Sequence, residues 1–151
     1  MAISGSGLLV ATFVEAFTTG LSIDLTSDTD LKAALFTSSL ANPNFTTDVG
    51  YGAAPYNANE ASGAGYTAGG AVLTGTTFTG NSGVATFDAS DVTWASSTLS
   101  DVRGVLIYDD TQEDDNGIVL VDLGQAYQTS NGSLVVQWHS DGIFQLDLVP
   151  A

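Results

Sequence analysis

Residues Val102–Asp110 read Val-Arg-Gly-Val-Leu-Ile-Tyr-Asp-Asp, and this stretch decides the fold. Four consecutive apolar residues, Val105–Tyr108, stand between Gly104 and a pair of aspartates. A short apolar run of β-branched, aliphatic and aromatic residues between turn signals indicates a strand that is buried on both faces. Such a strand belongs in the middle of a fold, so we expect the rest of the chain to be arranged around it.

The segments that follow this strand also have strand patterns. Ile118–Gly124 is apolar except for Asp122, while Leu134–Trp138 and Ile143–Leu148 alternate between apolar and polar residues. Between the last two lies His139–Gly142, a stretch of hairpin-turn length that ends in Asp-Gly. We therefore predict that the C-terminal third is a compact antiparallel unit whose last two strands form a hairpin.

Further strand candidates precede it, and they are short and closely spaced. Leu31–Thr37 is the first; its alanines also allow a helical turn, but we predict a strand. Four more candidates occupy residues 71–74, 76–80, 84–88 and 92–95, separated by Gly-, Asn- and Ser-containing turns. Short strands with turn residues between them are typical of a β-sandwich or barrel. The prediction is a mainly β fold, with residues 1–151 forming a single antiparallel β-sandwich or barrel-like domain whose β core spans residues 71–148.

One short helix is predicted near the N-terminus, over about residues 8–19. Its apolar residues recur at helical spacing, and Gly20 stands where a helix often ends. We expect this amphipathic helix to pack its apolar face against the sheet. The residues of that face are Leu9, Val10, Phe13, Val14 and Phe17.

A long loop is predicted over residues 38–70, which are rich in Asn, Gly, Ala and Thr and poor in large aliphatic residues. Loops of this length are usually functional or disordered. This one carries aromatic residues that a simple linker does not need, so we expect it to order against a partner, with a neighbouring subunit as the first candidate. The interface residues predicted on this basis are Phe45, Tyr51, Tyr56 and Tyr66.

The charge balance excludes several classes of partner. Seventeen acidic residues stand against only Lys32 and Arg103, which gives a formal net charge of −15. Nucleic-acid binding requires basic residues that neutralise phosphates, so neither nucleic acid nor an anionic membrane surface is expected as a partner. The apolar run Leu8–Val14 is too short to span a bilayer. We expect Arg103 to pair with a carboxylate.

No catalytic or cofactor site is predicted. The chain has no cysteine, and His139 is its only histidine, without a Gly-x-Ser-x-Gly motif to present a nucleophile. We interpret His139 as an exposed residue of a turn. The glycine-rich stretch Gly63–Gly70 lacks the spacing of a phosphate-binding loop, so its glycines are expected to supply positive φ angles or close backbone approach.

The acidic turn Asp109–Gly117 is the one candidate for a metal site. With Gly117 placed at the glycine of an EF-hand, Gln112 falls at the first ligand position and Leu123 at the position of the bidentate glutamate. The EF-hand pattern therefore fails. A solvated turn between two buried strands is the favoured interpretation, and a looser divalent-ion site in residues 109–116 remains the alternative.

Two pairs of motifs in the chain are distinctive: Gly65-Tyr66 with Gly69-Gly70, and Arg103-Gly104 with Ile107-Tyr108. The more generic segments that accompany them are Asp30–Phe36, Val92–Trp94, Val121–Gly124, Leu134–Trp138 and Gly142–Leu146. In this order, from about Leu8 to Leu146, the motifs resemble those of a group of small structural proteins of tailed bacteriophages.

The resemblance implies a non-enzymatic virion component without cofactors, above all a capsid decoration (cement) protein. Such a protein lies on the outer surface of the head and binds the major capsid protein. We expect a cyclic homo-oligomer, with a trimer favoured because three-fold positions of shells are common attachment points.

Two alternatives remain open at this point. One is a tail component, such as a tube, terminator or fibre-associated protein, because β-sandwiches serve both locations. The other is a carbohydrate-binding β-sandwich that stacks sugars on Trp94, Trp138 or the loop tyrosines. Both tryptophans lie within apolar strand patterns, so we expect them to be buried in the core.

Overall fold

The computed structural model describes residues 3–41 and 43–149. It is mainly β, with one short helix and several antiparallel sheets in a β-sandwich-like arrangement, as predicted. In chain order the elements are β1 (Gly7–Leu8), α1 (Val10–Thr18), β2 (Leu31–Thr37), β3 (Ala71–Val72), β4 (Thr77–Asn81), β5 (Val84–Asp88), β6 (Val92–Ser97), β7 (Val102–Asp109), β8 (Gly117–Tyr127), β9 (Gly132–Val136) and β10 (Phe144–Asp147).

Strand β7 lies in the middle of the largest sheet, whose order is β1-β8-β7-β2-β3. Residues Val105–Tyr108 are fully buried, which confirms that this strand is covered on both faces. Its neighbour β2 pairs with it antiparallel from Leu31 opposite Asp109 to Phe36 opposite Gly104. Strand β2 is nearly as buried as β7. Other parts of the chain must therefore pack against both faces of this central pair of strands.

Two smaller sheets cover one face of this central pair. Their orders are β10-β5-β4 and β6-β9. Leu35 of β2 and Ile107 of β7 belong to the same core cluster as Phe87 of β5 and Trp94 of β6. This packing of sheet against sheet forms the larger of two apolar cores.

The N-terminal segment and the long loop cover the opposite face. Phe36, Leu106 and Tyr108 point to this side, where they form a second core cluster. The covering residues include Ile3, Leu9, Leu40 and Tyr56. The loop predicted at residues 38–70 thus forms a layer of the fold, and no helix or strand is present between β2 and β3 in the described part of the loop.

The predicted C-terminal hairpin is wrong. Strand β9 pairs with β6, and β10 pairs with β5, so residues 137–143 cross from one small sheet to the other. An alternating pattern identifies a strand and its buried face but does not identify the strand that it pairs with. The β core is also not confined to residues 71–148, because β1 and β2 belong to the large sheet.

Hydrogen bonds to Glu60 and Tyr66 connect the loop to the large sheet. The Glu60 carboxylate accepts hydrogen bonds from the Tyr51 hydroxyl at 2.8 Å, the Tyr66 hydroxyl at 2.7 Å and the backbone N–H of Gly69 at 2.7 Å. The Tyr66 oxygen in turn accepts a hydrogen bond from the backbone N–H of Leu35 in β2. Burial, with Glu60 next in effect, raises the pKa of Tyr51 to about 12, so this hydroxyl remains a donor at neutral pH.

Gly70 allows the loop backbone to approach β2 closely. It has a φ of +81°, and the Ala33 carbonyl occupies the place where a Cβ atom would lie. A side chain here would combine an unfavourable backbone conformation with a clash against β2. This confirms, at Gly70, the role expected for the glycine-rich stretch.

Replacing Glu60 with Ala is expected to destabilise the protein by about 3 kcal/mol, because it leaves three part-buried donors without their acceptor. The measurement is urea unfolding followed by tryptophan fluorescence. Glu113→Ala is the matched control, since Glu113 is exposed, and it should change the free energy of unfolding by less than about 0.5 kcal/mol. Equal unfolding midpoints for the two variants would contradict the role of Glu60.

Candidate interaction surface

Helix α1 is held against the protein by one side only. The Thr12 hydroxyl donates a hydrogen bond to the carbonyl of Gly117, where β8 begins. Phe13 packs edge-on against Phe144 of β10, with ring centroids 6.3 Å apart. The helix therefore lies between the β8 side of the large sheet and the small sheet β10-β5-β4.

The opposite side of α1 is apolar and exposed. Val10 is 45%, Val14 53% and Phe17 88% exposed to solvent. These residues are one helical turn apart and form a continuous row. The prediction that they pack against the sheet is wrong, and the helix begins at Val10, since Leu8 is part of β1.

The residues of α1 explain this outcome. The large apolar side chains of α1 share one broad face, and of these only Phe13, at one edge of the face, packs against the core. Thr12 takes an inward position because the Gly117 carbonyl satisfies its hydroxyl. The row that contains Val14 and Phe17 is consequently left outside.

A groove continues this exposed row toward the small sheet. Its lining includes Phe13, Phe17, Leu25, Phe78 and Leu146, and it is almost entirely apolar. Soluble proteins rarely expose large continuous apolar patches unless the patch binds something. We call the set Val10, Val14, Phe17, Phe78 and Leu146 the α1 surface.

Acidic residues border the α1 surface. Asp24 stands in the sequence between two residues that line the groove, and Asp28 is hydrogen-bonded to Thr76, two residues before Phe78. Hydrogen bonds from Thr26 lower the pKa of Asp24, and hydrogen bonds from Thr76 lower the pKa of Asp28, so both carboxylates are ionised at neutral pH.

The two basic side chains of the chain lie on other strands and are already paired. Lys32 of β2 contacts Asp110 at 2.6 Å, and Arg103 of β7 contacts Asp122 of β8 at 2.7 Å, as expected for Arg103. The surroundings of the α1 surface therefore favour a partner that carries positive charge.

The four aromatic residues predicted as an interface contact the chain's own sheet. Tyr56 is 1% exposed and packs edge-on against Phe36, and Tyr51 stacks on Tyr108 at 4.7 Å. Tyr66 is hydrogen-bonded to Glu60, while Phe45 is partly buried against the second core. The loop thus orders against the large sheet of the same chain, and the argument that it needs a neighbouring subunit no longer holds.

The acidic turn between β7 and β8 is organised by hydrogen bonds within the chain. Asp109 accepts bonds from the backbone N–H and the hydroxyl of Thr111, and Asn116 donates to Glu15 at 3.0 Å. Among residues 3–41 and 43–149, no group of three or more His, Cys, Asp or Glu side chains is arranged to hold a metal ion. His139 is exposed, as predicted, and its Nδ1 lies 3.3 Å from Asp141.

The two tryptophans differ in burial. Trp94 is buried and lies beside Tyr66, with ring centroids 6.1 Å apart, as expected. Trp138 is only partly buried, and its indole N–H donates a hydrogen bond to the Ser90 carbonyl. Buried Trp94 therefore offers no open surface on which a sugar ring could stack.

No protein-family model, curated protein or solved structure matches this chain. Helix α1, the only helix among the described residues, is too short to cross a membrane.

Replacing Asp122 with Asn is expected to lower stability at pH 7 and to flatten its loss on acidification. The hydrogen bond from Arg103 lowers the pKa of Asp122 in the folded protein. The stabilisation is therefore fully present above the unfolded pKa of about 4 and is lost as pH falls through the folded value. Thermal unfolding between pH 2 and 7 tests this, with exposed Asp141→Asn as the control. Parallel pH profiles for wild type and Asp122→Asn would contradict it.

Proposed function

We propose that this protein is a non-enzymatic structural protein that docks onto another protein through the α1 surface. The observation that carries the proposal is that Val10, Val14 and Phe17 are exposed to solvent side by side, although the chain is otherwise strongly acidic. Full burial of one large apolar side chain contributes about 1.5–3 kcal/mol. Several such side chains on one surface supply the centre of a protein interface.

We further propose that the docking partner is the major capsid protein on the outer surface of a tailed-phage head. The motif resemblance around Gly65–Gly70 and Arg103–Tyr108 supports this assignment. The net charge of −15 agrees with it, because an acidic protein is repelled by packaged DNA but is well solvated on the outside of a shell.

A decoration protein stabilises a shell through linked binding. Because it binds the assembled shell and not the separated subunits, its binding free energy adds to the stability of the particle. Many copies bind one particle, so modest affinity at each position suffices if neighbouring copies also contact each other. The expected trimer would supply such contacts, and the mass of the purified protein in solution tests it.

Replacing exposed apolar residues of α1 is expected to weaken binding to heads without unfolding the protein. Val14→Ser combined with Phe17→Ser should lower the affinity for heads assembled without this protein at least about tenfold, because the variant loses apolar burial in the interface. Co-sedimentation measures the affinity, and cryo-electron microscopy of the pelleted heads locates the bound copies. Thermal unfolding should show little change in stability, since both side chains are largely exposed.

Val135→Ser is the matched control for this experiment. Val135 is 52% exposed on β9, away from the α1 surface, so its replacement removes a similar apolar side chain elsewhere. The control should bind heads like the wild type. Full occupancy by the α1 double variant would contradict the α1 surface as the docking site, and wild-type density on tails instead of heads would contradict the location.

A further inference from the structure

Strand β4 has an open edge beside the α1 surface. It is the last strand of the sheet β10-β5-β4, and all five of its residues are exposed. Its sequence, Thr-Phe-Thr-Gly-Asn, contains neither a charged residue nor a proline. Charges and prolines are the usual means by which edge strands avoid pairing with another chain. Strand β4 therefore lacks this protection.

The hairpin between β4 and β5 determines which backbone groups face outward. Ser82 and Gly83 both have positive φ, at 51° and 83°, so they form a two-residue turn of the mirror-image type. The residues that flank such a turn, Asn81 and Val84, form a hydrogen-bonded pair, and the pattern alternates along the strands. The N–H and C=O groups of Phe78 and Gly80 therefore point away from β5.

The other neighbour of β5 supports this assignment. The backbone N–H of Leu148 donates a hydrogen bond to the Gly83 carbonyl, which places the odd-numbered residues of β5 toward β10. At the start of β4, the N–H of Thr76 is already satisfied by Asp28 at 2.8 Å. The open edge thus begins at Phe78, and among the described residues no side chain is hydrogen-bonded to the backbone of Phe78 or Gly80.

The open edge and the apolar groove share Phe78. Its backbone faces outward, and its side chain lines the groove together with Phe17 and Leu25. Side chains directly opposite each other on neighbouring antiparallel strands lie about 5 Å apart on the same face. A strand added along β4 would therefore place one side chain opposite Phe78 and its other alternate side chains on the same face of the sheet, toward the groove.

We propose that an extended segment of a partner protein adds to β4 as a fourth strand, with alternate apolar side chains in the groove and Lys or Arg residues at its ends. Strand addition of this kind gains affinity from backbone hydrogen bonds and specificity from the alternate side chains. The proposal rests on the proposed function in one respect: the segment belongs to the protein onto which the α1 surface docks.

The charges near the groove favour an extended segment with basic ends over a second copy of this chain. Asp28 is hydrogen-bonded to Thr76 beside the start of β4, Asp24 stands between two residues that line the groove, and both basic side chains of the chain are paired elsewhere. Pairing of β4 with β4 of another copy would bring two sets of these carboxylates together. A segment with basic ends instead meets opposite charge at the groove.

Gly80→Pro and Gly80→Ala form a matched pair of variants that tests the proposal. Proline removes the outward N–H of Gly80 and leaves the bonds to β5 intact, whereas alanine keeps the N–H and enters open space. The probe is the peptide Lys-Lys-Thr-Val-Thr-Val-Thr-Lys-Lys, titrated into the isotope-labelled full chain and followed by NMR. We expect shifts at the Phe78 and Gly80 amides, and an affinity about tenfold lower for Gly80→Pro than for Gly80→Ala.

Two altered peptides keep the test independent of protein stability. A peptide N-methylated at alternate residues, and one with Glu in place of Lys, should each bind the wild type at least about tenfold more weakly. The proposal is overturned if the wild type does not bind the basic peptide, if the two Gly80 variants bind it with equal affinity, or if either altered peptide binds the wild type as tightly as the unaltered peptide.

Sedimentation of the Gly80 variants with heads separates this proposal from the proposed function. If Gly80→Pro binds heads as tightly as Gly80→Ala, the docking function stands and strand addition is overturned. If the peptide binds as expected but the wild type does not bind heads, strand addition stands and the head-binding function is overturned.

Discussion

The double burial of strands β2 and β7 is the constraint on which the rest of the structure depends. Because both faces of this central pair are apolar, each face requires a cover. The two small sheets supply one cover, and the N-terminal segment with loop 38–70 supplies the other. The second cover has little regular structure, so Glu60, Tyr66 and the close approach at Gly70 hold it in place.

This arrangement separates the residues that hold the fold together from those that are free to bind a partner. The loop aromatics are occupied by the large sheet, and the two basic residues are occupied by ion pairs. In contrast, one side of α1 and the edge of β4 have no such partners among the described residues. They lie next to each other because Phe13 of the helix packs on Phe144 in the sheet that contains β4. The binding hypothesis therefore rests on the exposed side of α1 and the edge of β4, because neither packs against the core.

The sequence predicted the strands well but not their partners. The run Val105–Tyr108 predicted a buried strand clearly because it is unbroken and apolar, whereas the alanines of Leu31–Thr37 also allowed a helical turn; both stretches are strands. The alternating segments β9 and β10 looked equally clear, yet alternation is a local property and their pairing with β6 and β5 is not. The mainly β class could thus be predicted, whereas the sheet order could not.

The candidate surface was missed for a related reason. Aromatic residues in an irregular loop suggested an interface, although an irregular loop can also form a layer of a core, as Tyr51 and Tyr56 show. The sequence did signal an apolar face on α1, but an amphipathic helix normally turns that face toward the core, so its exposure could not be predicted. The open edge of β4 had no such signal, since it depends on sheet order.

Hydrogen exchange, measured by mass spectrometry on the free and the head-bound protein, tests the central claim most directly. The account predicts that loop amides such as Ala61 and Gly69 are protected in the free protein, because they are bonded to Leu35 and Glu60. Binding should then add protection at α1 and at Phe78–Gly80 while leaving the loop unchanged. Rapid exchange of the loop in the free protein, with protection gained there on binding, would contradict the account.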